Sequence, residues 1–171
     1  MIYLVTDSRE SRWLPTVLSS VHNKICLTIA LGFDTFVCMR HGLNPFLHQD
    51  QINGSRLGCY FCGDIVAPLN SLKDRTLDQQ CTVSRPGNLQ LNTNFKALCT
   101  ISASYGVELL MSLINHNLKQ GAQANENLRD CDQSPLGFIP QQIRGDLTTF
   151  NVQTLFGQAF QRLFTYLLQF L

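Results

Sequence analysis

The sequence is poor in charge and has no excess of either sign. Charged residues make up 15% of its 171 positions, and the formal net charge is +1. Binding of nucleic acid or of a membrane surface through bulk electrostatics is typical of a clear basic excess, so neither role is indicated. The hydrophobic share of 44% indicates a folded core, and the length indicates one domain.

Targeting and membrane-spanning segments are also missing from the sequence pattern. The short apolar run after Met1 ends at Thr6 and Asp7, so it does not read as a secretory signal. No uninterrupted apolar stretch approaches the ~18 residues that a membrane span needs. We therefore expect a cytoplasmic protein without a transmembrane segment.

The sequence also lacks the cysteine pattern of a disulfide framework. The chain has seven cysteines, an odd number, at uneven spacing. This pattern favours a reducing compartment, where thiols serve as metal ligands or nucleophiles.

Strand-like and helix-like segments alternate through the first part of the chain. This alternation predicts the α/β class with a largely parallel sheet. A second helix and an apolar helical tail are predicted further along. The predicted strands are 2–5, 25–31 and 35–39, and the predicted helices are 11–21, 104–118 and 155–171, with Trp13, Val17, Leu18 and Val21 on the inner face of the first helix.

Asp7 lies just past the end of the first predicted strand. In an open parallel sheet, ligands bind beyond the carboxyl ends of the strands, so this carboxylate is suited to hold Mg²⁺ on a bound nucleotide. Arg9 and Arg12 follow and could contact phosphate oxygens through their forked donors. An aspartate that only caps the next helix is the alternative interpretation.

Cys59 and Cys62 form a C-x-x-C pair, which is half of a tetrahedral zinc site. A complete structural site needs two further ligands, and the sequence has no second C-x-x-C. A thioredoxin-like role requires a strand–turn–helix setting. The spacing alone leaves metal ligation, redox chemistry and simple burial open.

Cys81 lies in a polar segment between Arg75 and Arg85. An exposed thiol near guanidinium groups ionises more readily, and the thiolate is the nucleophile. The alternative interpretation is a surface cysteine without a role.

Several motifs together resemble one family, the autophagy-related ubiquitin-like modifier-activating enzymes. The 74–87 segment, which holds Cys81, resembles the active-cysteine crossover loop of that family and is the most specific of them. The matching segments are TDSRESRWLP at 6–15, ALGFDTFV at 30–37, MRHGL at 39–43, LGCYFC at 57–62, DRTLDQQCTVSRPG at 74–87, VEL at 107–109 and LGFIPQQIRG at 136–145.

The resemblance implies a fold, a set of roles and a location. The fold would be a partial doubly wound, Rossmann-like sheet of the ThiF/MoeB-type activating-enzyme class, with an extended crossover loop at 70–87. Residues 1–150 would be the carboxyl-terminal part of the adenylation domain, and 151–171 a divergent amphipathic helical tail. Cys81 would form the thioester, and Asp7 and Arg12 would bind Mg-ATP.

The family also implies partners. These are ubiquitin-like modifiers of autophagy, their conjugating enzymes and a second copy in a homodimer, with a cytoplasmic location at the preautophagosomal structure. Cys59 and Cys62 resemble the first zinc half-site of the family. Leu163 and Tyr166 occupy the positions of the second cysteine pair, and neither binds zinc, so we expect an incomplete site.

Two further departures bear on activity. The sequence contains no G-x-G-x-x-G phosphate loop, which in the family precedes the strand that opens this chain, and residues 88–100 resemble an insertion. We therefore expect the chain to be inactive alone. Three hypotheses follow: a part of an activating enzyme, a non-catalytic modifier-binding or dimerisation remnant, and a small cysteine-based metal protein.

Overall fold

A computed structural model describes residues 1–6, 9–32, 35–43, 57–64, 91–122, 124 and 139–159. Within these ranges five strands form one sheet in the order β1-β2-β3-β4-β5. The strands are β1 (Ile2–Leu4), β2 (Cys26–Leu31), β3 (Thr35–Arg40), β4 (Gln142–Asp146) and β5 (Asn151–Leu155). The helices are α1 (Arg9–Val21), α2 (Tyr60–Asp64) and α3 (Leu91–Asn115), followed by a 3₁₀ turn at Lys119–Gly121. The predicted α/β class is confirmed.

The prediction of a largely parallel sheet is wrong for the described strands. Only β1 and β2 pair in parallel, whereas the β2–β3, β3–β4 and β4–β5 pairs are antiparallel. The physical reason lies in the connection lengths. Residues 32–34 alone join β2 to β3, and a parallel neighbour would require a crossover of about a dozen residues or more.

Helices α1 and α3 lie on opposite faces of the sheet. Leu27 of β2 packs against Leu109, Leu110 and Leu113 of α3. Side chains alternate between the two faces of a strand, so Cys26 and Thr28 project to the other face, towards α1. This second face holds the polar residues described below.

Helix α3 is longer than predicted and uses a different face. Residues 91–100, which the sequence placed in an insertion, are continuous with the helix. Leu98 is fully buried and packs with Phe36 and Cys38, which explains why the helix extends over this stretch. Four residues marked the predicted periodicity: Leu110 is buried as predicted, whereas Val107, Met111 and Ile114 are 55%, 47% and 46% exposed.

Part of α3 meets the length and composition of a membrane span. This part is Ala97–Asn115, and a third of it is buried. Its leucines contact β2 in the core, which is the packing of a core helix in a sheet protein.

The predicted helical tail at 151–171 begins as a strand. Asn151–Leu155 forms β5, the partner of β4, so the helical assignment of Leu155 is wrong. The turn Leu147–Phe150 joins the two strands, and Asp146 accepts hydrogen bonds from the amide and hydroxyl of Thr148. Residues 160–171 lie outside the described part of the chain.

Candidate functional site

Arg12 lies at the carboxyl end of β1, where the sequence placed a nucleotide-binding residue. The residue is 5% exposed. Nε and Nη2 both donate to the carbonyl oxygen of Thr6, at 3.0 and 2.5 Å. Thr6 directly precedes Asp7 in the sequence, so Arg12 fixes the backbone beside that aspartate. Asp7 itself lies outside the described residues.

The same guanidinium joins α1 to the C-x-x-C helix. The Cζ atom of Arg12 lies 4.7 Å from the ring centre of Tyr60, a cation–π distance. One residue further on each helix, the rings of Trp13 and Phe61 meet edge to face, with centroids 5.3 Å apart. The predicted nucleotide end and the C-x-x-C pair therefore form one continuous packed unit.

Cys59 and Cys62 are brought together by α2. Their sulfur atoms are 3.7 Å apart, far longer than the ~2.05 Å of a disulfide. Two thiolates at 2.3 Å from a tetrahedral zinc lie about 3.8 Å apart, so the pair fits two vertices of such a site. The pKa of the Cys59 thiol is held well above its usual value, first by the hydrogen bond to Cys62 and second by burial.

The remaining zinc ligands are not supplied by the described part of the chain. No group of three or more His, Cys, Asp or Glu side chains is assembled there. Residues 160–171 contain none of these four residue types in the sequence. The pair therefore fits only half of a zinc site, and no chemical step is assigned to a metal.

A buried histidine lies behind Arg12 on the same face of the sheet. The Nε2 atom of His41 is 2.7 Å from the hydroxyl of Thr28, while Nδ1 has no hydrogen-bond partner. Burial, together with the positive charge of Arg12, lowers the pKa of His41 from 6.5 to about 3. The cavity beside it, lined by Thr16, Ser19 and Cys59 among others, measures about 10 Å³ and is too small for a nucleotide.

Sequence reasoning missed the roles of Tyr60 and His41. Tyr60 carries no local signal, because its partner Arg12 is distant in the sequence. The contact of His41 with Thr28 could have been found from the β2–β3 hairpin register. In that register Thr28 lies opposite Met39, and His41, two residues after Met39, is on the same face as its diagonal neighbour. Cys81 and the 70–87 crossover segment lie outside the described residues, so their predicted roles remain predictions.

Comparison with known proteins identifies the relatives of this chain. It is 47% identical over 162 residues to an enzyme of Emericella nidulans, and 44% identical over 173 residues to one of Dictyostelium discoideum. Each of these alignments covers 94% of the chain. An enzyme of Komagataella pastoris is 46% identical over 157 residues, or 91% of the chain. No family model matches the chain.

The chain is homologous to proteins named ubiquitin-like modifier-activating enzymes, which are an enzyme family. The three relatives carry the name ubiquitin-like modifier-activating enzyme ATG7, which confirms the resemblance found in the motifs. The chain spans about a fifth to a quarter of their length, 22%, 23% and 22% respectively.

Proposed function

We propose that this chain supplies the thioester-forming part of an ATG7-type activating enzyme. The observation that carries the proposal is the homology over 94% of the chain, which includes the 74–87 segment around Cys81. The proposal includes the fold: a partial doubly wound sheet of the ThiF/MoeB type. The parallel β1–β2 pair and the helices on both faces of the sheet support it.

The proposed reaction has two chemical steps. A carboxylate oxygen of the modifier's terminal glycine attacks the α-phosphorus of ATP, and pyrophosphate leaves. The Cys81 thiolate then attacks the carbonyl carbon of the acyl adenylate, and AMP leaves as the thioester forms. The modifier passes to a conjugating enzyme by thiol exchange.

Asp7 and Arg12 have separate roles in this proposal. Asp7 would hold the Mg²⁺ that neutralises phosphate charge during adenylation. Arg12 would stabilise the nucleotide end of β1, because two of its nitrogen atoms already bind the Thr6 carbonyl. A cytoplasmic location at the preautophagosomal structure and a homodimeric state complete the proposal.

The Cys81→Ser variant tests the thioester assignment when the rest of an ATG7 enzyme, a modifier and Mg-ATP are supplied. A serine oxygen forms an ester, so we expect a base-labile adduct that resists reductant. The matched control is Cys99→Ser on α3, which should keep the ordinary reductant-sensitive thioester. A reductant-sensitive adduct on Cys81→Ser would assign the chemistry to another thiol.

A second candidate is a modifier-binding polypeptide without ATP chemistry; these 171 residues contain no G-x-G-x-x-G loop. Modifier-dependent ATP–pyrophosphate exchange followed by Cys81 adduct formation in the reassembled enzyme separates the two functions. We expect no modifier-dependent exchange from the chain alone. Failure of the reassembled enzyme to form any Cys81 adduct, with modifier still bound, would favour this second function.

A further inference from the structure

The thiols of Cys59 and Cys62 lie within reach of a covalent bond to each other. Their sulfur atoms are 3.7 Å apart, so an approach of about 1.7 Å would give the ~2.05 Å length of a disulfide. Rotation of one cysteine about its Cα–Cβ bond moves a sulfur atom over a distance of that order. The amide of Cys62 also donates to the carbonyl oxygen of Cys59 at 3.0 Å, which closes a turn around the two residues between them.

Gly58, the residue before the pair, is anchored to three other segments. Its amide donates to the carbonyl oxygen of Gly157 at 2.9 Å. Its own carbonyl oxygen accepts from the amide of Gly42 at 3.3 Å and from Nε2 of Gln141 at 2.9 Å. A Cβ atom on Gly58 would lie 2.8 Å from Cβ of Cys62, so Cys62 packs directly on this anchored backbone. The fold, and not only the C-x-x-C spacing, therefore holds the two thiols together.

The two thiols differ in exposure. Cys59 is 3% exposed, whereas Cys62 is partly exposed. A dissolved oxidant therefore reaches Cys62 first, and Cys59 meets only Cys62. The described part of the chain brings no third metal ligand to the pair, which leaves both sulfur atoms available for bonding to each other.

The pair contacts helix α1 through its apolar neighbours. Phe61, between the two cysteines, lies edge to face against Trp13, the one tryptophan of the chain. Cys62 and Trp13 both pack against Val17, a buried residue of α1. Leu18, which the sequence placed on the same inner face, is 40% exposed. A bond between the two sulfur atoms therefore changes the surroundings of the Trp13 ring.

We propose that Cys59 and Cys62 form a reversible disulfide, a redox switch at the contact of α2 with α1. The co-reactant is a low-molecular-weight disulfide such as oxidised glutathione. The Cys62 sulfur attacks one sulfur of that disulfide and releases one thiol. The Cys59 sulfur then attacks the Cys62 sulfur and releases the second thiol. The protein loses two electrons and two protons, which leave in the two released thiols. The inference does not depend on the proposed enzymatic function.

Equilibration of the complete chain with reduced and oxidised glutathione tests the switch. After alkylation of the remaining thiols, peptide mass spectrometry should find Cys59 joined to Cys62, with the loss of two hydrogen atoms. The equilibrium constant for this bond should be about tenfold or more larger in the folded chain than in the same chain unfolded by urea. No such bond, or an equal or smaller constant in the folded chain, would overturn the proposal.

Single variants test the order of attack. Cys59→Ser should stop at a mixed disulfide between glutathione and Cys62, whereas Cys62→Ser should leave Cys59 unmodified. A disulfide quenches the emission of a neighbouring indole, so oxidation should lower Trp13 emission in the unsubstituted chain. The control Cys99→Ser on α3 should show the same loss, and Cys62→Ser should show none. Unchanged emission on oxidation, or glutathione on Cys59 of Cys62→Ser, would refute the mechanism.

Equal amounts of zinc and chain separate the switch from a metal site. Because the described residues supply two sulfur ligands and no third, added zinc should leave the yield of the Cys59–Cys62 disulfide unchanged. Protection of the pair from glutathione by one equivalent of zinc would instead assign the two thiols to a metal and contradict the proposal.

Discussion

The Nε2 atom of Gln141 donates a hydrogen bond to the carbonyl oxygen of Gly58, 2.9 Å away and 83 residues distant in the chain. The Oε1 atom of the same side chain accepts a hydrogen bond from the amide of Gly157 at 2.6 Å. Gln141 is fully buried. One amide group therefore joins three distant segments: the approach to β4, the residue before Cys59 and the segment after β5.

Replacing Gln141 by methionine should destabilise the chain strongly. Methionine keeps the approximate volume but cannot bond Gly58 or Gly157, and each buried group left unpaired costs about 1–3 kcal/mol. Chemical denaturation measures the change. The control is Gln120→Met, whose side chain bonds the Lys24 carbonyl at an exposed site and should cost about 0.5 kcal/mol or less. Equal losses in the two variants would contradict the bridging role of Gln141.

Gly145→Ala should also destabilise the sheet. A Cβ atom on Gly145 would lie 2.0 Å from Cε1 of Phe36, its partner in the β3–β4 register. Phe36 is 1% exposed and stacks on Tyr105, so it cannot move aside freely. Overpacking of this kind costs about 1–3 kcal/mol. Thermal unfolding measures it against Gly121→Ala, where the nearest atom is 3.4 Å away and little change is expected.

Stability should fall as the pH drops from about 6.5 towards about 3, because the pKa of His41 is lowered from 6.5 to about 3 in the folded state. In that window the unfolded chain binds the proton and the folded chain does not, so protonation favours unfolding. The slope from this group is about 1.4 kcal/mol per pH unit. Denaturation across this range should show a flatter slope for His41→Gln. The variant of exposed His22, His22→Gln, should keep the original slope.

The purified chain should bind much less than one equivalent of zinc. The sulfur atoms of Cys59 and Cys62 fit two ligand positions, but the described residues assemble no third ligand. Metal analysis before and after Cys59→Ser measures this directly, with Cys26→Ser as a control for a thiol outside the pair. Near-stoichiometric zinc that disappears on Cys59→Ser would show that a complete site exists.

The sequence by itself determined the local elements and the family. Apolar runs of strand length located β1, β2 and β3, and helical spacing located α1 and the second half of α3. These signals are local, since they depend on the period of side chains along one segment. Motifs with Cys81, Asp7, Cys59 and Cys62 indicated the activating-enzyme family, because these runs of residues are specific without any geometry.

Only the tertiary structure decided which surfaces meet. The antiparallel β3–β4 pair and the inner face of α3 depend on contacts between distant segments, which no local period encodes. The contacts of Arg12 with Thr6 and Tyr60, and of Gln141 with Gly58 and Gly157, depend on the tertiary structure as well. The chemical nature of a side chain sets which bonds it can make, but the fold selects the partner, because burial leaves each polar group only the neighbours that packing brings within reach.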